Sequence, residues 1–317
     1  MARNLLASKL IKSVRDRAMI PDDVSVYDDD AILEILNEEV DVGLLDTLLT
    51  LHEEHLVTYT DTESHLVNNE KRIIIPHRAI GSKLRDAHYF NNGSICELSR
   101  IDLSEVADFR YEVNNYSNRN DIFYVEGDEI VILSNGGGSL YRLYFHLRPN
   151  YIVNESKCAQ INNINRETGV IQFEEIPSNF TNLDLADFVQ DKSPNKILAF
   201  DINVTAVSIG QRTVTVSPSS IPRRLSVGDW VCFSEESPYA NVPTELHPVL
   251  AQRAAIYILE AMGDSENLGN AKAKLRQMEK SVQKILDDRV EGAPRKIKNR
   301  HGALSNNRLI NRNRGRF

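Results

Sequence analysis

The sequence predicts an α+β fold, in which helices near both ends flank a block of β-strands and an extended basic C-terminal tail follows. Two changes of hydrophobic period support this prediction. Apolar residues recur every three or four positions up to about residue 60 and again after residue 243, whereas they alternate between residues 121 and 237. With 41% hydrophobic residues in 317, the chain is long and apolar enough to bury a core.

Three short amphipathic helices are predicted within the first sixty residues. The first has apolar residues four positions apart over 6–18 and ends before Pro21. Asp28 to Asp30 can cap the second, and leucines within 44–56 mark the third. Because each helix is too short to be stable alone, we expect them to pack on other elements.

Turn signals between alternating runs predict β-hairpins. The first has Asn92 and Gly93 at its turn. Three more are predicted across 135–138, 167–169 and 210–211, and a Gly-Asp turn precedes a strand at Trp230. Several short strands with such turns are typical of a small barrel or sandwich.

A helix hairpin is predicted after the β block. Thr244 can cap its first helix, and a polar break follows near residue 263. The second helix has an apolar seam spaced by three and four residues from Leu275 to Ile285 and ending at Arg289. We expect the helices near both ends to pack together, so that the β block is an insertion. The predicted divisions are a helical part with one β-hairpin (1–120), the β domain (121–242), the helix hairpin (243–293) and the tail (294–317).

The charge of the chain is segregated. The tail holds eight Lys or Arg and no Asp or Glu; since the whole chain carries −8, the other 293 residues carry −16. An acidic body argues against general nucleic-acid binding, which needs a positive face. The arginine-rich tail can pair with carboxylates or phosphates on a partner. Basic C-terminal segments also occur as solvated tails with no partner.

No catalytic or metal-binding motif is found, so no enzyme, cofactor or metal site is predicted. His52 and His55 in HEEH are three residues apart, not four as in a zincin helix, and indicate a solvated helix face. The glycines of 134–139 lack the Lys-Ser/Thr of a P-loop and indicate a hairpin loop. The two acidic clusters, Asp28 to Asp30 and Glu174-Glu175, are interpreted as capping or solvated residues.

The compartment prediction follows from cysteines and hydropathy. Cys96, Cys158 and Cys232 lie far apart in sequence, which argues against a disulfide framework and favours folding in a reducing cytoplasm. No apolar run approaches the ~18 residues of a membrane span, and the N-terminal segment is a poor signal peptide. No membrane association is predicted.

Five segments carry a resemblance to a known family. They are RIIIPHRAIGSKLRDAHYF, YVEGDEIVIL, YFHLRPNYIV, LSVGDWVCFSEES and VPTELHPVLAQRAAIYILEAMGD. They resemble segments of the head-to-tail adaptor (connector, neck) proteins of tailed bacteriophages, and the likeness covers most of residues 28–293. The helices near both ends are similar to the helical adaptor core, and the β block is similar to an insertion in larger members.

The resemblance implies a structural virion protein. Such adaptors form a ring, typically of twelve copies, below the portal protein and continue the double-stranded DNA channel towards tail or neck proteins. Their C-terminal segment binds the portal. Carried onto this sequence, portal docking falls to Arg295, Lys296, Lys298, Arg300, Arg308, Arg312, Arg314, Arg316 and Phe317. The contacts of the β block are left open between decoration of the ring and binding of tail or fibre proteins.

Two other functions fit the sequence. One is another ring of the neck, such as a stopper or a tail terminator. The other is a nucleic-acid-binding protein that uses the basic tail on phosphates.

Overall fold

The computed structural model describes residues 6–20, 27–51, 53–67, 70–91, 93–106, 122–133, 140–192 and 196–286. Within them the chain is a mixture of helices and strands and contains a closed six-stranded barrel, which confirms the α+β class. The helices are α1 (Ala7–Ala18), α2 (Asp29–Glu38), α3 (Leu45–Leu51), α4 (His247–Met262) and α5 (Ser265–Leu286).

The predicted second and third helices form one continuous helical run. A π-helical segment, Glu39–Leu44, joins α2 to α3 without a break. The predicted cap is confirmed, because Asp28 Oδ1 accepts a hydrogen bond from the Ala31 amide at 2.8 Å. Within the π segment, Gly43 leaves room for the Arg253 guanidinium of α4, since a Cβ at Gly43 would lie 2.7 Å from Arg253 Nη1.

Helices from both ends of the described chain share one hydrophobic core, as predicted. Buried residues of α1, α2 and α4 belong to a single cluster, which includes Leu10, Val14, Ile32, Leu36, Leu250, Ala254 and Ile258. A polar contact crosses the same interface, where Arg17 Nη1 donates to Gln252 Oε1 at 2.6 Å. Helices too short to be stable alone thus bury their apolar faces against one another.

The helix hairpin is confirmed, with one change in its seam. Gly263 ends α4 in the left-handed region at φ 72°, and Arg253 pairs with Glu279 of α5 at 2.6 Å. The predicted seam residue Ile285 is 43% exposed, and Leu286 packs on the core instead. Because an α-helix has 3.6 residues per turn, the stripe moves on by four residues after Val282. Arg289, the predicted end of the seam, lies outside the described residues.

The first nine described strands form two sheets. Their bounds are β1 (Val57–Glu63), β2 (His65–Val67), β3 (Glu70–Ile74), β4 (Ala79–Asn91), β5 (Ser94–Glu97), β6 (Ser99–Arg100), β7 (Ile122–Glu126), β8 (Glu129–Leu133) and β9 (Leu140–Leu147). One sheet has the order β1-β9-β4-β5 and the other β2-β3-β8-β7-β6. Inner residues of both sheets, among them Ile130, Leu143 and Phe145, share one cluster, so the two sheets pack together. In the described part of residues 1–120 the chain forms six strands, β1 to β6, of which β4 and β5 are the predicted hairpin.

One predicted hairpin is confirmed in these sheets and another is wrong. Asn91 pairs with Ser94, so the predicted hairpin of β4 and β5 is present, while Asn92 of its predicted turn lies outside the described residues. The strands on either side of 135–138 do not pair: β8 pairs with β7 and β3, whereas β9 pairs with β1 and β4. The reason is that a two-residue turn between Glu126 and Glu129 already joins β8 to β7 in a hairpin. Gly127, at φ 65°, adopts the left-handed conformation that this tight turn needs.

The later strands form a closed barrel, one of the two architectures, barrel or sandwich, that the sequence predicted. Its strands are β11 (Ala159–Asn165), β12 (Val170–Phe173), β13 (Leu185–Val189), β14 (Ile197–Ser208), β15 (Thr213–Val216) and β16 (Trp230–Phe233), in the order β11-β12-β15-β14-β13-β16. The predicted hairpins around 167–169 and 210–211 are both present. Aromatic rings fill the interior, where Phe180 lies edge-on to Phe173 and to Phe233.

The chain enters and leaves the barrel through two short parallel strands. β10 (Tyr151–Ile152) precedes the barrel and pairs with β17 (Glu236–Ser237), which follows it. Asn37 of α2 binds the backbone of β10. Its side chain donates to the Ile152 carbonyl at 3.1 Å and accepts from the Ile152 amide at 2.7 Å. The barrel thus occupies 159–233, while the wider limits 121–242 and 243–293 stay predictions.

Acid is expected to destabilise the fold through His247. This side chain at the start of α4 is fully buried, its Nε2 lies 3.1 Å from the Ala240 carbonyl, and burial lowers the pKa of its imidazole. The folded state therefore binds fewer protons than the unfolded state below about pH 6.5. Stability is fully present above that pH and falls as the pH decreases, by about 1 kcal/mol from pH 7 to 5.5.

Urea unfolding of wild type and His247→Gln at pH 7 and 5.5 measures this loss. The difference between the two proteins isolates His247, since carboxyl groups titrate alike in both. Equal pH dependence in wild type and variant would refute the assignment.

Candidate functional site

The nine predicted docking residues cannot be placed in the fold. Every one of them lies in 287–317, outside the described residues: Arg295, Lys296, Lys298, Arg300, Arg308, Arg312, Arg314, Arg316 and Phe317. Their role stays a prediction. Two other sites stand out within the described chain, namely a buried ionic cluster and an aromatic sheet face.

The buried cluster is centred on Arg78, in the turn before β4. Its side chain is 2% exposed, and Nη1 and Nη2 each lie 3.1 Å from Asp187 Oδ2 on barrel strand β13. Nη1 also donates to Asp201 Oδ1 on β14 at 3.1 Å. One guanidinium thus bridges the first sheet and two barrel strands, a geometry that a planar five-donor group permits.

Asn150 completes the cluster from the segment between β9 and β10. Its Oδ1 accepts a hydrogen bond from Arg78 Nη2, and its Nδ2 donates to Asp187 Oδ2 at 2.6 Å and to the Glu236 carbonyl at 2.8 Å. The backbone N–H of Asn150 donates to Oδ1 of Asn241, a residue that precedes α4, at 3.3 Å. The cluster therefore connects sheet, barrel and the approach to the helical core.

The charge of Asp187 depends on these partners. Burial raises the pKa of this carboxyl group, while the Arg78 charge, the Asp201 amide and the Asn150 side chain act in the opposite direction. An isolated buried carboxylate would be costly, but this one is paired and hydrogen-bonded. Because Arg78 is 2% and Asp187 0% exposed, this ion pair is closed to solvent and fixes the barrel to the first sheet.

The second site is the outer face of the sheet β1-β9-β4-β5. Arg142 of β9 pairs with Asp61 through two hydrogen bonds of 2.7 and 2.8 Å. Its guanidinium carbon lies 4.0 Å from the centre of the Tyr59 ring and 5.1 Å from that of Phe90. Tyr144 continues the row, 5.8 Å from Tyr59 between ring centres.

This face offers aromatic rings and charged groups at a solvent-facing surface. Tyr59 is exposed, and Ile95 on the neighbouring strand is exposed as well. Aromatic and arginine side chains are enriched in protein interfaces, so the face can contact another protein. The alternation in LYRLYFHL (140–147) was a usable signal, because it separates Arg142 and Tyr144 from the buried Leu143 and Phe145.

No metal site or membrane-spanning helix is found in the part of the chain that the structure describes. No three His, Cys, Asp or Glu side chains group there as metal ligands would, and His52 lies outside this part. None of the helices described has the length and apolar character needed to cross a bilayer.

Comparison with protein-family models and with curated proteins finds no match to this chain.

Proposed function

We propose that the protein is a head-to-tail adaptor of a tailed bacteriophage. In this role it forms a ring below the portal protein, docks to the portal through residues 294–317 and continues the DNA channel to the tail. It folds in the host cytoplasm and works in the virion neck. The sequence resemblance over residues 28–293 suggests this function.

The observation that carries the proposal is the shared core of α1, α2 and α4. Helices near both ends of the chain pack together, and the strands lie between them in sequence. This is the arrangement expected of a helical adaptor core that carries a β insertion. It also leaves apolar side chains exposed on the helical surface, including Met19, Val42 and Tyr257, which neighbouring copies in a ring can cover.

Charge segregation supports the same role. A body with a net charge of −16 repels phosphate, so DNA can slide along a channel of this protein without being held. A tail with eight cations can pair with carboxylates on the portal through bidentate arginine contacts. A ring whose inner wall was mainly Arg and Lys would contradict the sliding argument.

Removal of residues 294–317 tests the docking role. The truncated protein is expected to fold, because the described core ends at Leu286, and to lose attachment to portal-bearing capsids. Electron microscopy of purified protein mixed with portal measures attachment, and circular dichroism verifies folding. A matched variant keeps the full length but replaces the eight Lys and Arg by Gln; it should lose attachment too if charge is what docks. Unchanged attachment after truncation would reject the docking role.

A nucleic-acid-binding protein is the second candidate, favoured by the eight cations of the tail. Free DNA would then bind the isolated protein with an affinity that falls steeply as salt is raised. The same truncation would abolish that binding. DNA binding of this kind, without attachment to portal, would replace the adaptor proposal. Contact with the tail tube instead of the portal would favour a stopper or tail terminator.

A further inference from the structure

Two of the three cysteines face each other across a barrel seam. β11 pairs with β16 in antiparallel register, with Ala159 opposite Val231 and Gln160 opposite Trp230. One step further, this register sets Cys158 opposite Cys232. Opposed residues in antiparallel strands have Cα atoms about 4.5–5.5 Å apart, within the ~4.4–6.8 Å range that a disulfide needs.

The two thiols lie together in an apolar environment. Cys158 is 5% exposed and Cys232 is fully buried, and both belong to one cluster with Val189 and Tyr239. Burial raises the pKa of the Cys232 thiol well above its usual value, and the neighbouring Cys158 side chain raises it further. Both cysteines are free in this state. The register and the shared cluster therefore place the two side chains together, and the Cys232 thiolate is scarce at neutral pH.

The seam they adjoin is the short one of the barrel. The register of β11 with β16 covers Ala159 and Gln160, whereas β13 pairs with β16 from Ala186 to Val189. A covalent link here would join the two strands of this seam beside the backbone hydrogen bonds that Ile161 makes with Gly228 and Asp229.

We propose that Cys158 and Cys232 are a thiol–disulfide exchange site, which stays reduced in a reducing compartment and forms a cross-strand disulfide with a small-molecule disulfide as oxidant. The Cys158 thiolate attacks one sulfur of the oxidant, for example oxidised glutathione, and releases one glutathione thiolate. The Cys232 thiolate then attacks the Cys158 sulfur of the mixed disulfide and releases the second. Two protein thiols are oxidised to one disulfide, one small disulfide is reduced to two thiols, and the two protein protons pass to the released thiolates.

The disulfide would constrain the chain between residues 158 and 232. A loop of this length restricts the unfolded state strongly, so the oxidised protein is expected to have a Tm about 10 °C higher than the reduced protein. Because the Cys232 thiolate is scarce, the step that closes the disulfide is expected to be slow at neutral pH and faster as the pH rises. This inference does not depend on the proposed virion role.

Thiol counting on the full chain tests the site. The protein is incubated with oxidised glutathione, denatured and titrated for free thiols, and its proteolytic peptides are analysed by mass spectrometry. Loss of the thiols at 158 and 232, a peptide pair joining them and reversal by dithiothreitol are expected. Cys96, which is partly exposed on β5, serves as the internal control, and its reaction with glutathione shows that the oxidant was active.

Two results would overturn the proposal. One is that Cys158 and Cys232 stay reduced, or end as separate mixed disulfides, under conditions in which Cys96 has reacted. The other is a joined peptide pair whose formation leaves the Tm unchanged or lowers it, because the link would then form only in a distorted barrel. A Cys232→Ala variant gives the Tm without the disulfide under the same oxidant.

Discussion

Replacing Arg78 by Met is expected to lower the free energy of unfolding by about 3–5 kcal/mol. The substitution keeps the apolar part of the side chain but removes the cation that faces Asp187 and Asp201. Asp187 would then be a buried carboxyl group without its counter-charge and would take up a proton or distort the barrel. Urea denaturation at pH 7 measures the loss.

A matched control is available on the protein surface. Arg85 pairs with Glu53 at 3.3 Å, but both side chains are more than a third exposed. Arg85→Met is therefore expected to change stability by less than about 1 kcal/mol. A double variant, Arg78→Met with Asp187→Leu, should recover part of the loss, since no unpaired carboxylate remains at 187. If Arg78→Met costs no more than Arg85→Met, the buried cluster does not stabilise the barrel.

Phe180→Ala is the second substitution with a large expected effect, about 3–5 kcal/mol. Phe180 is fully buried in the 3₁₀ segment Ser178–Asn182, with its ring centre 5.5 Å from that of Phe233 and 6.4 Å from that of Phe173. Truncation removes both edge-to-face contacts and leaves a cavity inside the barrel.

Trp230 gives a specific measurement of this loss. It is the single tryptophan of the chain and lies on β16, so its fluorescence in urea follows the barrel, whereas far-UV circular dichroism also follows the helices. Leu185→Ala on β13 is the control, because Leu185 is 39% exposed and its truncation should cost less than about 1 kcal/mol. Equal losses for Phe180→Ala and Leu185→Ala would mean that the aromatic cluster is not the core of the barrel.

The elements predicted correctly are those specified by neighbouring residues. Asp28 caps a helix through an amide three positions away, and the turns at 92–93, 167–169 and 210–211 join strands that are adjacent in sequence. The wrong hairpin across 135–138 has the opposite cause. The partners of β9 are β1 and β4, tens of residues away, and their choice depends on which sheets pack together rather than on a local turn.

The candidate sites also differ in whether residues close together in sequence reveal them. The basic tail is visible in composition alone, whereas Arg78, Asn150 and Asp187 are separated by 72 and 37 residues along the chain and share no motif. The cysteine pair was hidden for this reason too, since 158 and 232 meet only when the barrel closes. Alternation could have indicated the Arg142 face, but Tyr59 and Phe90 reach it from two other strands.

The parallel pairing of β10 with β17 has an evolutionary consequence. The chain leaves for the barrel after β10 and returns from it at β17. These two strands are neighbours, about 4.8 Å apart. A single genetic deletion of 159–233, bridged by a short linker, would leave the two ends close enough to rejoin. Arg78 would then lose Asp187 and Asp201, so a lineage that discards the barrel should also exchange this arginine for an apolar residue.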